Sequence, residues 1–119
     1  MSNFISLPQA IDMTSTYRKE KDNILAQEFQ GQDILPICET FDRASFDTLL
    51  AEMDCTYIRV YFGMGENLQI RVIAVAADSK NADILPASGQ AKARDGGGSI
   101  VEDGIRCPDI CPPPSGLNS

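Results

Sequence analysis

Apolar residues recur at every second position along two runs of the chain, Cys55–Phe62 and Leu68–Ala76. A period of two is typical of β-strands, and the connector Gly63-Met64-Gly65-Glu66-Asn67 is typical of an antiparallel turn. The sequence therefore predicts a central β-hairpin. The simplest register makes one face wholly apolar through three opposed pairs: Phe62 with Leu68, Val60 with Ile70, and Ile58 with Val72. A shift of one residue would mix apolar and polar side chains on both faces, so this register is favoured.

A first helix is predicted near the start of the chain, where apolar residues recur at helical spacing. Ser6 and Gln9 fit a capping box, and Pro8 lies in the first turn, where its missing N–H costs nothing. The spacing then extends this helix from Leu7 to about Gln27.

A second helix is indicated by its N-terminal residues. Asp42 is suited to cap it, and Phe41 and Phe46 flank the cap as a hydrophobic staple. The apolar spacing takes this helix to about Met53. One face is expected to turn toward the core with four apolar residues: Phe46, Leu49, Leu50 and Met53.

The order of these elements predicts an α+β fold, in which two N-terminal helices pack on a small antiparallel sheet built around the central hairpin. Beyond the hairpin, Gly89–Ser99 is predicted to be a loop, and Ile100-Val101 with Ile105 to form a short edge strand. Residues 1–106 are predicted to form a single α+β domain. Residues 107–119 form a C-terminal tail rich in cysteine and proline, whose prolines oppose regular strand pairing.

Composition narrows the classes of function. The chain has 119 residues, 43% of them hydrophobic, which suits one globular domain. Its net charge of −7, without any basic block, argues against nucleic acid or an anionic membrane as a partner. Histidine is absent, so the commonest general acid–base group and every histidine-based metal site are missing. We therefore lean against an enzyme, and no cofactor is predicted.

The location predicted from the sequence is the cytoplasm. Met1-Ser2-Asn3-Phe4-Ile5 lacks the basic and apolar regions of a signal peptide. The longest apolar run, Val72–Ala77, is too short to span a bilayer. In the cytoplasm the four cysteines are expected to stay reduced.

Several strings along the chain carry a resemblance to one family. They are Ile5-Ser6-Leu7 with Ala10, Glu39-Thr40-Phe41, Ile58-Arg59-Val60-Tyr61-Phe62-Gly63-Met64, Ala82-Asp83-Ile84-Leu85-Pro86, and Arg106-Cys107-Pro108 with Cys111-Pro112-Pro113-Pro114-Ser115. On these strings the chain resembles a family of small uncharacterised proteins from Bacteroidetes, and the C-terminal string is the most distinctive. No activity, cofactor or partner is known for that family, so the resemblance implies no function and no site residues.

Two arginines form the first candidate site. The predicted register places Arg59 opposite Arg71, flanked by Tyr57 and Tyr61. Two guanidinium groups side by side can grip a carboxylate or phosphate, which the tyrosine hydroxyl groups would orient. The alternative is a structural network, in which the acidic helix Asp42–Asp54, or the pair Glu102 and Asp103, supplies the counter-charges.

Cysteines form the second candidate site. Cys107 and Cys111 are spaced C-x3-C among prolines, and Cys38 and Cys55 lie elsewhere in the chain. Four thiolates can hold zinc, although the usual pairs of C-x2-C are missing. A thiol–disulfide pair at Cys107 and Cys111 is a second interpretation, and inert packing of all four thiols is a third.

The functional hypothesis drawn from these patterns is a non-enzymatic protein-interaction or structural module that self-associates. It depends on the absence of histidine and on a hairpin that is apolar on one face and half-apolar on the other. Two alternatives come from other classes. One is a protein that binds a small anionic ligand, or an enzyme, using Arg59 and Arg71, and the other is a cysteine-based metal or redox protein.

Overall fold

The computed structural model of the chain describes residues 3–86 and 98–119. Its elements, numbered along the chain, are β1 (Cys38–Thr40), β2 (Tyr57–Met64), β3 (Ile70–Ala77), β4 (Asp83–Ile84), β5 (Ile100–Val101) and β6 (Ile105–Cys107), with helices α1 (Leu7–Glu20) and α2 (Arg43–Leu50). Two helices combined with antiparallel strands confirm the predicted α+β class. Most of the predicted loop Gly89–Ser99 lies outside the described residues.

The predicted start of α1 is confirmed, but its predicted end is wrong. The Ser6 hydroxyl accepts a hydrogen bond from the Gln9 N–H, and the Gln9 side chain accepts one from the Ser6 N–H, which completes the capping box. The helix ends at Glu20 rather than near Gln27. After the helix ends, the Asp22 carboxylate accepts a hydrogen bond from the Gly31 N–H at 2.9 Å. This bond favours a turn here over continuation of the helix.

The N-terminus of α2 is also as predicted. The Asp42 carboxylate accepts from the Ser45 N–H at 2.9 Å, and the side chain of Ser45, together with this N–H, lowers the pKa of Asp42. The rings of Phe41 and Phe46 lie 5.6 Å apart and form the expected staple. The helix ends at Leu50, before the predicted Met53, and the chain then turns through a left-handed Asp54 (φ 64°) before β2 begins.

The strands form two antiparallel sheets. In the larger sheet β3 is central: β2 pairs along one edge, while β4 and β5 pair at successive points along the other. The smaller sheet consists of β1 and β6, with Cys38 opposite Cys107. The larger sheet carries Arg59, Tyr61 and Arg71, and the smaller sheet carries Glu39, Arg106 and Cys107.

The hairpin is confirmed, but its predicted register is wrong. Phe62 pairs with Val72 instead of Leu68, because β2 continues through Met64 and the turn moves to residues 65–69. That turn closes with a hydrogen bond from the Gly65 N–H to the Gln69 carbonyl oxygen at 2.9 Å. Asn67 and Leu68 take up left-handed backbone angles to make it. Since the shift is even, each side chain stays on its predicted face while its partner changes.

The core lies where α2 covers the hairpin. Leu49 is fully buried and packs with Ala74, Ala76 and Val101. Leu50 and Met53, which the sequence placed on the same helix face, are instead 58% and 84% exposed. Leu49, in the last turn of α2, is the one buried residue of that helix, and no residue of α1 is buried.

Replacing Leu49 by alanine should leave a cavity in this core. We expect L49A to lower the free energy of unfolding by about 2–5 kcal/mol, measured by urea denaturation. The matched control is L50A, one residue along the same helix and mostly exposed. Equal losses for the two variants would contradict the described orientation of α2.

Candidate functional site

Arg59 belongs to a network on the face of the sheet opposite the core. Its guanidinium forms an ion pair with the Asp83 carboxylate and donates to the Asn81 carbonyl oxygen at 3.0 Å. The Tyr61 hydroxyl also donates to Asp83. Since β3 lies between β2 and β4, these side chains reach across it and fasten the short strand β4 to the hairpin.

The pKa values in this network shift as its hydrogen bonds require. The Tyr61 hydroxyl, and then Arg59, lower the pKa of Asp83 because both stabilise its charged form. The same bonds raise the pKa of Tyr61, whose proton is held by Asp83, and that of Arg59. The three groups therefore keep one arrangement of charge around neutral pH.

Arg71 belongs to a separate network, which joins β3 to the smaller sheet. Its guanidinium lies 3.3 Å from the Glu39 carboxylate, 3.6 Å from Glu102 and 3.9 Å from Asp103. It also donates to the Gly104 carbonyl oxygen at 3.0 Å. The side chain of Glu39 is only 1% exposed and accepts a hydrogen bond from the N–H of Val72 as well. Three carboxylates thus surround one guanidinium.

The predicted opposition of Arg59 and Arg71 is wrong, because it rested on the register. Arg59 pairs with Val75, and Arg71 pairs with Gly63. The expected counter-charges Glu102 and Asp103 do lie beside Arg71, whereas Asp83 was missed, since nothing in the sequence shows that β4 returns beside β3. Arg59 and Tyr61 thus lie in one network, and Arg71 lies in another. Whether any of the four candidate residues binds an anion stays a prediction.

Sequence reasoning also missed Arg106, which is buried without a carboxylate partner among the described residues. Its guanidinium donates to the carbonyl oxygens of Ile70 at 3.2 Å, Pro108 at 3.2 Å and Ile34 at 3.1 Å, and to that of Asp33. These bonds tie β6 to β3 and to the segment before β1. Its position between Ile105 and Cys107 in a short strand was the only available signal.

The cysteines separate into a bonded pair and two free thiols. Cys107 and Cys111 form a disulfide, while Cys38 and Cys55 are free and half-buried. Cys38 lies directly across from Cys107 in the smaller sheet, so a third cysteine lies next to the bonded pair. Over residues 3–86 and 98–119, no group of cysteine, aspartate and glutamate side chains is arranged to hold a metal ion.

An apolar cleft of about 510 Å³ lies beside the hairpin. It is lined by Tyr17, Leu35, Pro36, Ile37, Cys38, Glu39, Phe62, Ile70 and Val72. The hydroxyl of Tyr17 donates to the Pro36 carbonyl oxygen, and burial raises the pKa of Tyr17. Phe62 is 75% exposed at the edge of the cleft. A cleft of this size and lining can receive apolar side chains.

No protein-family model, curated protein or solved structure matches this chain. The resemblance to the Bacteroidetes family therefore stays a prediction. Within the described part of the chain, no helix is both long and apolar enough to cross a bilayer.

Replacing Asp83 by asparagine should weaken the Arg59 network in a pH-dependent way. Because the folded-state pKa of Asp83 is lowered, its contribution to stability is full above the unfolded value of about 4. That contribution is lost as the pH falls through the lowered value. We therefore expect D83N to be less stable at neutral pH and to lose less stability on acidification, measured by thermal unfolding across an acid titration.

The control for D83N is D47N, which removes a carboxylate from an exposed pair with Arg43 on α2. Exposed pairs of this kind contribute little to stability, so D47N should follow the wild type. If D83N instead showed the same acid dependence as the wild type, Asp83 would not be the group that responds to pH.

The cysteine pairing can be tested by alkylation of protein purified without reductant. After unfolding, we expect iodoacetamide to label Cys38 and Cys55, while Cys107 and Cys111 react only after reduction, since a disulfide has no thiolate to alkylate. Mass spectrometry of the peptides reads the result. Labelling of all four residues without reductant would show that the pair is a dithiol.

Proposed function

We propose that the protein is a non-enzymatic interaction module that acts by self-association through β2 and the neighbouring apolar cleft. One observation carries the proposal. Three apolar residues of β2 are left largely exposed beside the cleft: Val60 at 47%, Met64 at 60% and Phe62 at 75%. Large apolar side chains grouped beside an apolar cleft are typical of protein–protein contact surfaces.

The charged groups favour a binding module over an enzyme. Arg59 and Arg71 already hold carboxylates of their own chain, so an anionic ligand would have to displace Asp83 or Glu39. The shifted pKa of Asp83 has a structural cause in its two partners. The anion-binding alternative therefore has less support than self-association.

A cytoplasmic location is part of the proposal, and the Cys107–Cys111 disulfide provides a test of it. Disulfides are rare in the cytosol, so the pair should be largely reduced in cells if the protein works there. Neither Cys107 nor Cys111 belongs to β2 or lines the cleft. Self-association should accordingly not depend on the state of this pair.

The test is to replace Phe62 by serine and measure the molar mass over a concentration series by sedimentation. We expect the wild type to form a dimer and F62S to dissociate at concentrations at least about tenfold higher, because burying this ring contributes roughly 1.5–3 kcal/mol. The control is M53S, which removes a side chain that is 84% exposed just beyond α2, away from the cleft.

Two results would contradict the proposal. One is a wild-type protein that stays monomeric at every concentration. The other is a dimer that M53S weakens as much as F62S does, since its contact surface would then lie elsewhere.

A further inference from the structure

The backbone of β2 alternates between groups bonded to β3 and groups that face away from it. The bond from the Gly65 N–H to the Gln69 carbonyl oxygen marks a hydrogen-bonded pair, and such pairs recur at every second residue of an antiparallel ladder. The odd-numbered residues of β2 therefore bond to β3. The N–H and C=O groups of the even-numbered residues face the outer edge: Ile58, Val60, Phe62 and Met64.

Bonds made by β3 support this alternation. The N–H groups of Ile70 and Val72 point away from β2. Ile70 donates to the Ile34 carbonyl oxygen at 2.8 Å, and Val72 donates to the Glu39 carboxylate. Both residues pair with even-numbered residues of β2, as the alternation requires. The outward groups of β2 thus form a regular row along eight residues, about 26 Å at the usual strand rise.

The features that normally protect an edge strand are missing from β2. It contains no proline or lysine, and its pairing with β3 runs through all eight residues without a bulge. Its single charged residue, Arg59, is held by Asp83. Among the described residues, β3 is the only strand that pairs with it. Such an edge is suited to accept another strand.

We propose that β2 pairs antiparallel with β2 of a second copy, about a twofold axis at Tyr61, so that the two larger sheets become continuous. This inference rests on the proposed self-association and specifies its contact. In this register Val60 pairs with the partner's Phe62, and Ile58 pairs with the partner's Met64. In no other register do all four outward-facing residues have a partner within the strand. If the axis moved by one residue, one of the four would lie opposite a position beyond the end of the partner's β2.

The side chains agree with a second copy as the occupant. The residues paired through outward hydrogen bonds are all apolar and lie on one face, where Phe62 adjoins the cleft. On the other face, Arg59 lies opposite the partner's Gly63, so the two copies of Arg59 do not meet. The strand carries no acidic residue, although each chain has a net charge of −7. Added salt should therefore strengthen pairing by screening the charge elsewhere.

Amide hydrogen exchange followed residue by residue tests the inference on the unmodified protein. At concentrations where the dimer dominates, we expect the N–H groups of Val60 and Phe62 to exchange at least about tenfold more slowly than in dilute monomer. The N–H groups of Arg59 and Tyr61 are the internal control. They bond to β3 in either state and should change far less.

The outcomes separate this inference from the function on which it rests. A dimer in which the even-numbered amides slow with concentration supports both. A dimer in which they do not change would overturn strand pairing and leave self-association standing. A protein that stays monomeric would overturn both, and protection that needs another protein would show that the edge serves a different partner.

Discussion

The rest of the structure depends on β3 being paired along both of its edges. Ala74, Val75, Ala76 and Ala77 are all buried there, and the small alanine side chains let α2 approach closely enough to bury Leu49 completely. The same strand receives β4 and β5, and its Arg71 joins the smaller sheet through Glu39. Over residues 3–86 and 98–119 few side chains are fully buried, and half of the buried apolar ones lie on this strand.

Where the apolar core ends, ion pairs and hydrogen bonds of arginine side chains hold the remaining strands to the sheets. Arg59 fastens the two-residue strand β4, and Arg106 fastens β6 through carbonyl groups. Short strands lose more conformational freedom than their few ladder bonds recover, so side-chain bonds to them matter more than in a long sheet. Arg59, Arg71 and Arg106 thus each hold two or more segments of the chain together.

Local signals predicted the parts of the fold that depend on nearby residues. Ser6 and Asp42 cap their helices because their partners lie three residues away, and the two faces of the hairpin follow from a period of two. The register depended on where the turn would close, and left-handed angles at Asn67 and Leu68 moved it. For that reason Arg59 and Arg71 do not lie opposite each other, because only the predicted register pairs them. Asp83 lies 24 residues from Arg59, and three of the four carbonyl partners of Arg106 lie at least 36 residues from it, where periodicity carries no information.

One apolar face of β2 serves as core at one end and as surface at the other. Ile58 packs against the cluster under α2, but α2 is only eight residues long and does not extend over Val60 and Phe62. The apolar pattern on this face of β2 thus continues beyond the part that α2 covers. Exposed apolar surface and an unpaired strand edge each favour association with another chain, and among the described residues no strand pairs with the outer edge of β2. The described strands of the larger sheet pair β3 along both edges and leave β2 at its outer edge.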